Sequence, residues 1–496
     1  MSRHKIFGLA CGLSLLGLGA CNSTYEPGES IASSVAVYSF SVKSNGKDLA
    51  DVDTVFFSVD LLNARIFNAD SLPYGTRVSS LVPRVRTLDG VSVCEFHVKR
   101  PGKSDTIYNF ITHPEDSIDF SNGPVTLRIV SPDASVERNY SVSVNVHKMK
   151  SDSLEWSLKS RTAIPTELTS PTGSGSAECG GKLYCLTTDA SGRYSLGFTD
   201  DAFAGQWRFV SAPFAGMEAV EPSSLRGGER TLYILGKSGR LYTSADGGQS
   251  WADSGRRYLE LYGELGGYPV GTAIGADGDY VLVNPSTGAE EALPGADFPV
   301  SGASAGVRFA FPMSSGEQMV ILGGRTASGA LSDAAWAFDG KSWLKLTGTM
   351  TLPAGMEGMT LVPYSTFDGD NAWDAQSYSS LLAFGGMDAA GVASRTVYVS
   401  RDYGMSWRKA DKLLQLPDYF AAARGMQGFV ITHLTKSSDA EAAMTKIFAP
   451  LSRATEPVTQ WEVPYIYLIG GTTADGRLYP YMWRGVINRL SFKPLI

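Results

Sequence analysis

Apolar and polar positions alternate with a period of two through much of this chain. Val35-Ala-Val-Tyr-Ser-Phe-Ser-Val42 and Val91-Ser-Val-Cys-Glu-Phe-His-Val98 alternate, and Thr54-Val-Phe-Phe-Ser-Val59 is rich in strand formers. Such segments predict half-buried strands, because successive side chains of a strand point to opposite faces. Val125–Val130 followed by Ser131-Pro-Asp-Ala134 and a second alternating run predicts a hairpin. Together these strands predict a β-sandwich over residues 33–148.

After residue 150 the pattern changes from a list of strands to a repeat. Two segments share one plan: Ser244-Ala-Asp246-Gly-Gly248-Gln-Ser250-Trp251 and Ser400-Arg-Asp402-Tyr-Gly404-Met-Ser406-Trp407. The Asp can bond the turn's own backbone, the Gly can take a positive φ, and the Trp leads the next strand over a large apolar surface. A second variant has an apolar strand ending in Gly-Gly, a turn-rich loop and an aromatic strand. Val320-Ile-Leu-Gly-Gly324, Leu381-Leu-Ala-Phe-Gly-Gly386 and Tyr465-Ile-Tyr-Leu-Ile-Gly-Gly471 carry it. Weaker copies begin near Lys182, Thr231 and Gly271. Six units over residues 151–496 leave about 57 residues each, the size of a four-stranded propeller blade with its loops. Trp156 precedes Ile164-Pro165 as Trp343 and Trp407 precede Leu352-Pro353 and Leu416-Pro417, and it lies just ahead of the first unit, so its strand is expected to join the C-terminal strands and close the ring. Residues 437–461 read as an insertion with a short helix.

These motifs carry a resemblance. The Ser-x-Asp-x-Gly-x-Ser-Trp segments resemble Asp boxes, the Gly-Gly units resemble Kelch repeats, and residues 125–146 resemble the last hairpin of cadherin-like modules. As a whole the chain resembles uncharacterised bacterial surface lipoproteins with a Kelch-like propeller. That resemblance implies an all-β fold, a sandwich followed by a six-bladed propeller, and no assigned activity.

Composition supports the all-β reading. Of 496 residues, 43% are hydrophobic, only 19% are charged, and Gly numbers 54, a balance of many turns and few charged helix faces. Net charge is −7 with no basic block, which argues against a nucleic-acid partner. At the start, Arg3, His4 and Lys5 precede an apolar run ending in Leu18-Gly-Ala-Cys21. Residues 1–20 have signal-peptide form, and the ending resembles the lipobox of bacterial lipoproteins. The resemblance implies lipidation of Cys21, a polar tether over 21–32, and a place in the cell envelope at the outer membrane. Cys179 and Cys185 could form a disulfide in an oxidising compartment or stand as two buried thiols.

Candidate chemistry is sparse. The Asp boxes suggest sialidases, but no Phe-Arg-x-Pro segment is present. His433 is alone in the propeller region, too few for a histidine-based zinc site and without a Gly-x-Ser-x-Gly elbow. Glu218, Glu221, Glu290, Glu291, Asp368 and Asp370 are the carboxylates from which a hydrolytic pair could be drawn. Ser244, Asp246, Gly248, Trp251, Ser400, Asp402, Gly404 and Trp407 are read as structural. Tyr364, Trp373, Tyr419 and Phe420 are candidate ligand-loop aromatics, since rings beside acids and amides suit sugars or protein segments. The expected function is non-catalytic binding of a glycan or an envelope protein, with no cofactor. The competing expectation is a glycan-active hydrolase or lyase in the propeller funnel.

Overall fold

The computed structural model describes residues 34–43, 55–68, 71–72, 75–102, 104–146, 153–310, 316–348, 351–368, 376–436 and 460–488. The expected signal peptide, Cys21, Trp373, Asp370 and the helix in the 437–461 insertion lie outside them.

The N-terminal region is built from eight strands: β1 (Val37–Lys43), β2 (Ser58–Asp60), β3 (Arg65–Phe67), β4 (Val82–Thr87), β5 (Val93–Val98), β6 (Thr106–Asn109), β7 (Val125–Val130) and β8 (Glu137–Ser143). β1 and β4 pair as an antiparallel ribbon, and the others form one sheet in the order β2-β3-β8-β7-β5-β6, with β3 parallel to β8. Alternation places Cys94, Phe96 and Val98 inward and leaves Glu95 and His97 partly exposed. Val37, Phe40 and Val42 of the ribbon share one core with Phe96, Leu127 and Ile129 of the sheet. The Tyr140 hydroxyl, fully buried there, donates to the Val35 carbonyl at 2.9 Å. A buried phenol needs such a partner.

The second region is a six-bladed β-propeller of four-stranded antiparallel sheets. From inner to outer strand, blade one is Pro171–Cys179, Lys182–Asp189, Tyr194–Thr199 and Arg208–Phe209. Blade two is Val220–Gly227, Leu232–Gly236, Arg240–Ser244 and Ala252–Arg257; blade three is Glu260–Leu265, Tyr268–Ile274, Tyr280–Val283 and Glu290–Ala292. Blade four is Val307–Ala310, Glu317–Leu322, Ala335–Phe338 and Trp343–Leu346, and blade five is Glu357–Asp368, Gln376–Met387, Val397–Ser400 and Arg408–Lys409. Blade six has Gln427–Lys436, Gln460–Ile469 and Tyr481–Asn488, and its outer strand is β9 (Ser153–Ala163), which comes from the other end of the domain.

That closure is held by aromatics. Trp483 is fully buried, stacks on Phe420 with centroids 4.8 Å apart, and meets the edge of Trp156 from β9 at 6.5 Å. Edge and offset contacts of this kind add to the burial of the rings themselves.

The two Asp-x-Gly turns cap blades two and five. In each, the first Ser hydroxyl donates to the Asp carboxylate at 2.8 Å and accepts the turn Gly N–H at 2.8 Å. Asp246 also accepts the Ser250 N–H and hydroxyl, and these bonds hold its carboxyl down at about 2. Trp407 is buried and its ring N–H donates to the Gly404 carbonyl, whereas Trp251 is only partly buried and its ring nitrogen has no partner.

The alternatives left open for Cys179 and Cys185 resolve into separate thiols. They lie in different cores, Cys179 with blade two's Leu225 and Ile234, Cys185 with blade six's Tyr465 and Tyr467. A sheet therefore stands between them, and burial pushes their thiols up to about 11 and about 12.

A candidate binding pocket at the mouth of blades two and three

Each inner strand runs from one face of the ring to the other; the face where these strands begin is called the mouth below. On one side of it, blades four to six are tied together by their backbones. The Gly425 N–H donates to the Gly358 carbonyl at 2.7 Å, and the Gly358 N–H donates to the Gly302 carbonyl at 2.7 Å. All three glycines have φ near +65°, open to glycine at little cost and strained for other residues. Beside them Glu357 is buried and accepts from both Arg325 and Arg424, each at 2.5 Å. Two guanidinium groups on one carboxylate satisfy its charge, so Glu357 is not a free acid.

The other side of the mouth is open. Between blades two and three lies a cavity of about 540 Å³, lined by Glu221 to Arg226, the Gly236–Gly239 turn, Arg257 to Leu261, and Ala273 with Ile274. Arg226 is held by its own strand: one guanidinium nitrogen donates to the carbonyls of Ser223 at 2.7 Å and Leu225 at 2.9 Å. Its Nε is buried with no hydrogen-bond partner. Arg257 is oriented in the same way, donating to the Ser238 carbonyl at 2.8 Å. Glu221 accepts the Ser223 hydroxyl at 2.9 Å.

Glu260 begins blade three's inner strand. Burial pushes its carboxyl above the usual range and the neighbouring Glu221 charge adds to this, while Arg226 and the Gly302 N–H pull the other way. Gly302 thus joins the two sides: its carbonyl ends the glycine chain and its N–H faces Glu260. Farther along the axis, Glu264 is buried, accepts the Tyr233 hydroxyl at 3.2 Å and faces Arg308 at 3.8 Å.

The residues singled out from sequence fall differently. Glu221 lines the pocket, but its close neighbours Glu260 and Arg226 were not expected there. Glu218 is committed to the Ser238 hydroxyl at 2.7 Å and the Tyr242 hydroxyl at 3.1 Å, which lower its pKa. Glu290 and Glu291 are exposed on blade three's outer strand. The aromatic expectation is corrected at two positions. Tyr364 is 3% exposed, with its hydroxyl on the Ile487 carbonyl, and Phe420 is 0% exposed against Trp483. Both fill the core between blades five and six: Tyr364 lies within blade five's long inner strand, and Phe420 follows the Leu416-Pro417 turn and packs under the closure. Tyr419 is 47% exposed, yet it stacks on Trp483 and bonds the Trp156 carbonyl, so it covers the closure. His433 stacks on Phe203 at 3.8 Å, away from the pocket. Among the described residues, no group of three or more His, Cys, Asp or Glu is placed to hold a metal.

Residues 33–144 match the DUF6242 N-terminal domain, and residues 150–495 match the DUF6242 beta propeller domain. The chain belongs to the DUF6242 family. No curated protein matches the sequence of this DUF6242 chain. Among solved structures, YjhT is 13% identical with a TM-score of 0.39, covering 64% of this chain and 95% of its own. The SapL1 lectin in complex with alpha methyl fucoside is 12% identical with a TM-score of 0.35, covering 61% and 89%. The Bacteroides ovatus xyloglucan PUL GH43B is 11% identical with a TM-score of 0.29, covering 65% and 53%. These likenesses assign no ligand to the DUF6242 chain.

Proposed function

We propose that this DUF6242 chain is a lipid-anchored cell-envelope protein whose propeller binds a glycan in the blade two–three pocket without turning it over. The carrying observation is the pocket's chemistry. Glu221, Arg226, Lys237, Arg257 and Glu260 converge on one cavity, yet no two of them come within ion-pair distance of each other among the described residues. Charges left without an ion-pair partner in a cleft suit a ligand dense in hydroxyl groups. Half-exposed Leu259 and Ile274 add an apolar surface for the C–H face of a sugar ring. The Cys21 lipid anchors the chain at the outer membrane, residues 21–32 serve as tether, and the cadherin-like sandwich acts as a spacer beneath a Kelch-like, Asp-box propeller.

A polysaccharide panel offered to the mature protein tests this. Saturable binding without product, lost in Ile274→Trp, which puts a large ring on the exposed rim of the pocket, is the expected outcome; retention of every glycan by that variant, or no binding at all, refutes it. Cys21→Ala should release the protein from membranes, and unchanged membrane retention on fractionation would overturn the anchor.

One observation favours a second reading, glycoside hydrolysis. Glu260, which burial pushes toward its protonated form, shares the pocket with a second carboxyl, that of Glu221, and glycosidases work with two carboxyls. Product formation that disappears in Glu260→Gln would establish it in place of binding alone.

A further inference from the structure

Resting on the glycan reading of this pocket, we propose that it selects acidic glycans, taking their carboxylate or sulfate groups at Lys237 and Arg257. The chain as a whole carries a net charge of −7, so its general field repels polyanions and a local excess of cations must be built to receive them. Three cations, Arg226, Lys237 and Arg257, line the cavity against two carboxylates, Glu221 and Glu260, while Glu218, behind the 236–238 turn, is committed to the Ser238 and Tyr242 hydroxyls.

How these cations are held matters more than their number. On the same blade, Arg240 is matched by Asp253 at 3.1 Å, the usual fate of a propeller-surface arginine here, as with Arg193 on Asp189 and Arg208 on Asp200. Arg257 is Arg240's partner across the sheet, but no carboxylate lies within ion-pair distance of it or of Lys237 among the described residues. Arg257 and Arg226 are instead fixed by backbone carbonyls, which orient a guanidinium group without cancelling its charge. A planar donor fork, positioned and unneutralised at a cavity edge, is the arrangement that receives an oxyanion.

Of the two carboxylates, Glu260 sits where burial disfavours its charge, and Glu221, which accepts the Ser223 hydroxyl, is outnumbered by the three lining cations. Ser223 and Ser238 line the same cavity; their hydroxyls donate to Glu221 and Glu218 and leave acceptor lone pairs for sugar hydroxyls.

The test uses the mature protein and glycan pairs that differ only in charge: oligogalacturonides against their methyl esters, and heparin against desulfated heparin, with single-stranded DNA as a polyanion control. Tighter binding of the charged member of at least one pair is expected, and which pair responds separates carboxylate from sulfate recognition. Lys237→Gln with Arg257→Gln should weaken that binding by about tenfold or more, the range for lost charge-assisted contacts, and flatten its salt dependence. Arg240→Gln, already paired with Asp253, should leave it unchanged. Preference for the neutral members, with binding still blocked by Ile274→Trp, would overturn the acidic assignment while leaving the glycan reading intact. Failure to hold any glycan sinks both, and equal retention of DNA would show a general polyanion surface and overturn glycan selection.

Discussion

Blades four to six and blades one to three are built on one plan but finish their mouths in opposite ways. In the Gly-Gly blades, peptide groups bond from blade to blade through Gly425, Gly358 and Gly302, and Glu357 is shared by two arginines. In blades two and three, the starts of the inner strands carry Glu221 and Glu260, and the strands part around a cavity. Where the repeat is most regular, blade-to-blade peptide bonds and a shared ion pair close the mouth. Where it decays, charged side chains line an open cleft. Regularity in this ring marks the frame, and irregularity marks the site.

The sharpest way to break this contrast is to attack the frame. Trp407→Ala should cost about 3–5 kcal/mol, because the ring is buried and its N–H bonded. The matching Trp251→Ala on the pocket side should cost roughly half of that, since Trp251 is only partly buried. Urea denaturation of the two variants compares them directly; equal losses would mean the two halves are equally rigid. Next in size, Glu357→Ala leaves Arg325 and Arg424 repelling each other and should cost about 2–3 kcal/mol. Glycan affinity in the remaining folded protein should hardly change, and a loss matching that of Ile274→Trp would place the site on the wrong side.

Substitutions in the pocket should do the reverse. Glu221→Gln should stay within about 0.5 kcal/mol of the parent, since surface changes without a buried partner rarely cost more, while altering ligand affinity. The smallest expected effect is a pH slope. Because the folded-state pKa of Glu260 is raised, the folded protein binds the extra proton, and stability falls as pH rises from the ordinary carboxyl range through the raised value. Ionised Glu260 also repels an acidic ligand, so affinity should rise on acidification, against a background set by Glu221 and Arg226. Glu260→Gln should flatten both slopes; a wild-type titration that is already flat would contradict the placement of Glu260.

The sequence made the second, third and outer strands visible, because Gly-Gly ends, aromatic alternation and Trp-led starts all belong to them. The inner strands were nearly silent. Blade one's Pro171-Thr-Gly-Ser-Gly-Ser-Ala-Glu-Cys179 has little apolar alternation because neighbouring inner strands converge there: a Cβ on Gly175 would lie 1.6 Å from the Pro222 carbonyl oxygen, and one on Gly227 would lie 1.9 Å from that of Glu178. Small residues at such approaches erase the periodicity on which strand recognition depends. The pocket sits on those strands, so Glu260 and Arg226 gave no sequence signal beyond being charged residues beside short apolar runs. Aromatics misled for a related reason. Tyr364 and Phe420 look loop-borne in sequence, but long blade five strands and the closure carry them into the core.

The pairing of β9 with the last strand also constrains how the domain can be made. Residues from Ser153 onward emerge from the ribosome long before their partner at Asn488 exists, so the first-made strand must wait, unsatisfied, for the last. Completion is therefore a late, long-range event of the kind that slows folding. A product truncated ahead of Tyr481 would lack the surface that receives β9, and quality-control proteases, rather than a shortened propeller, should be its fate.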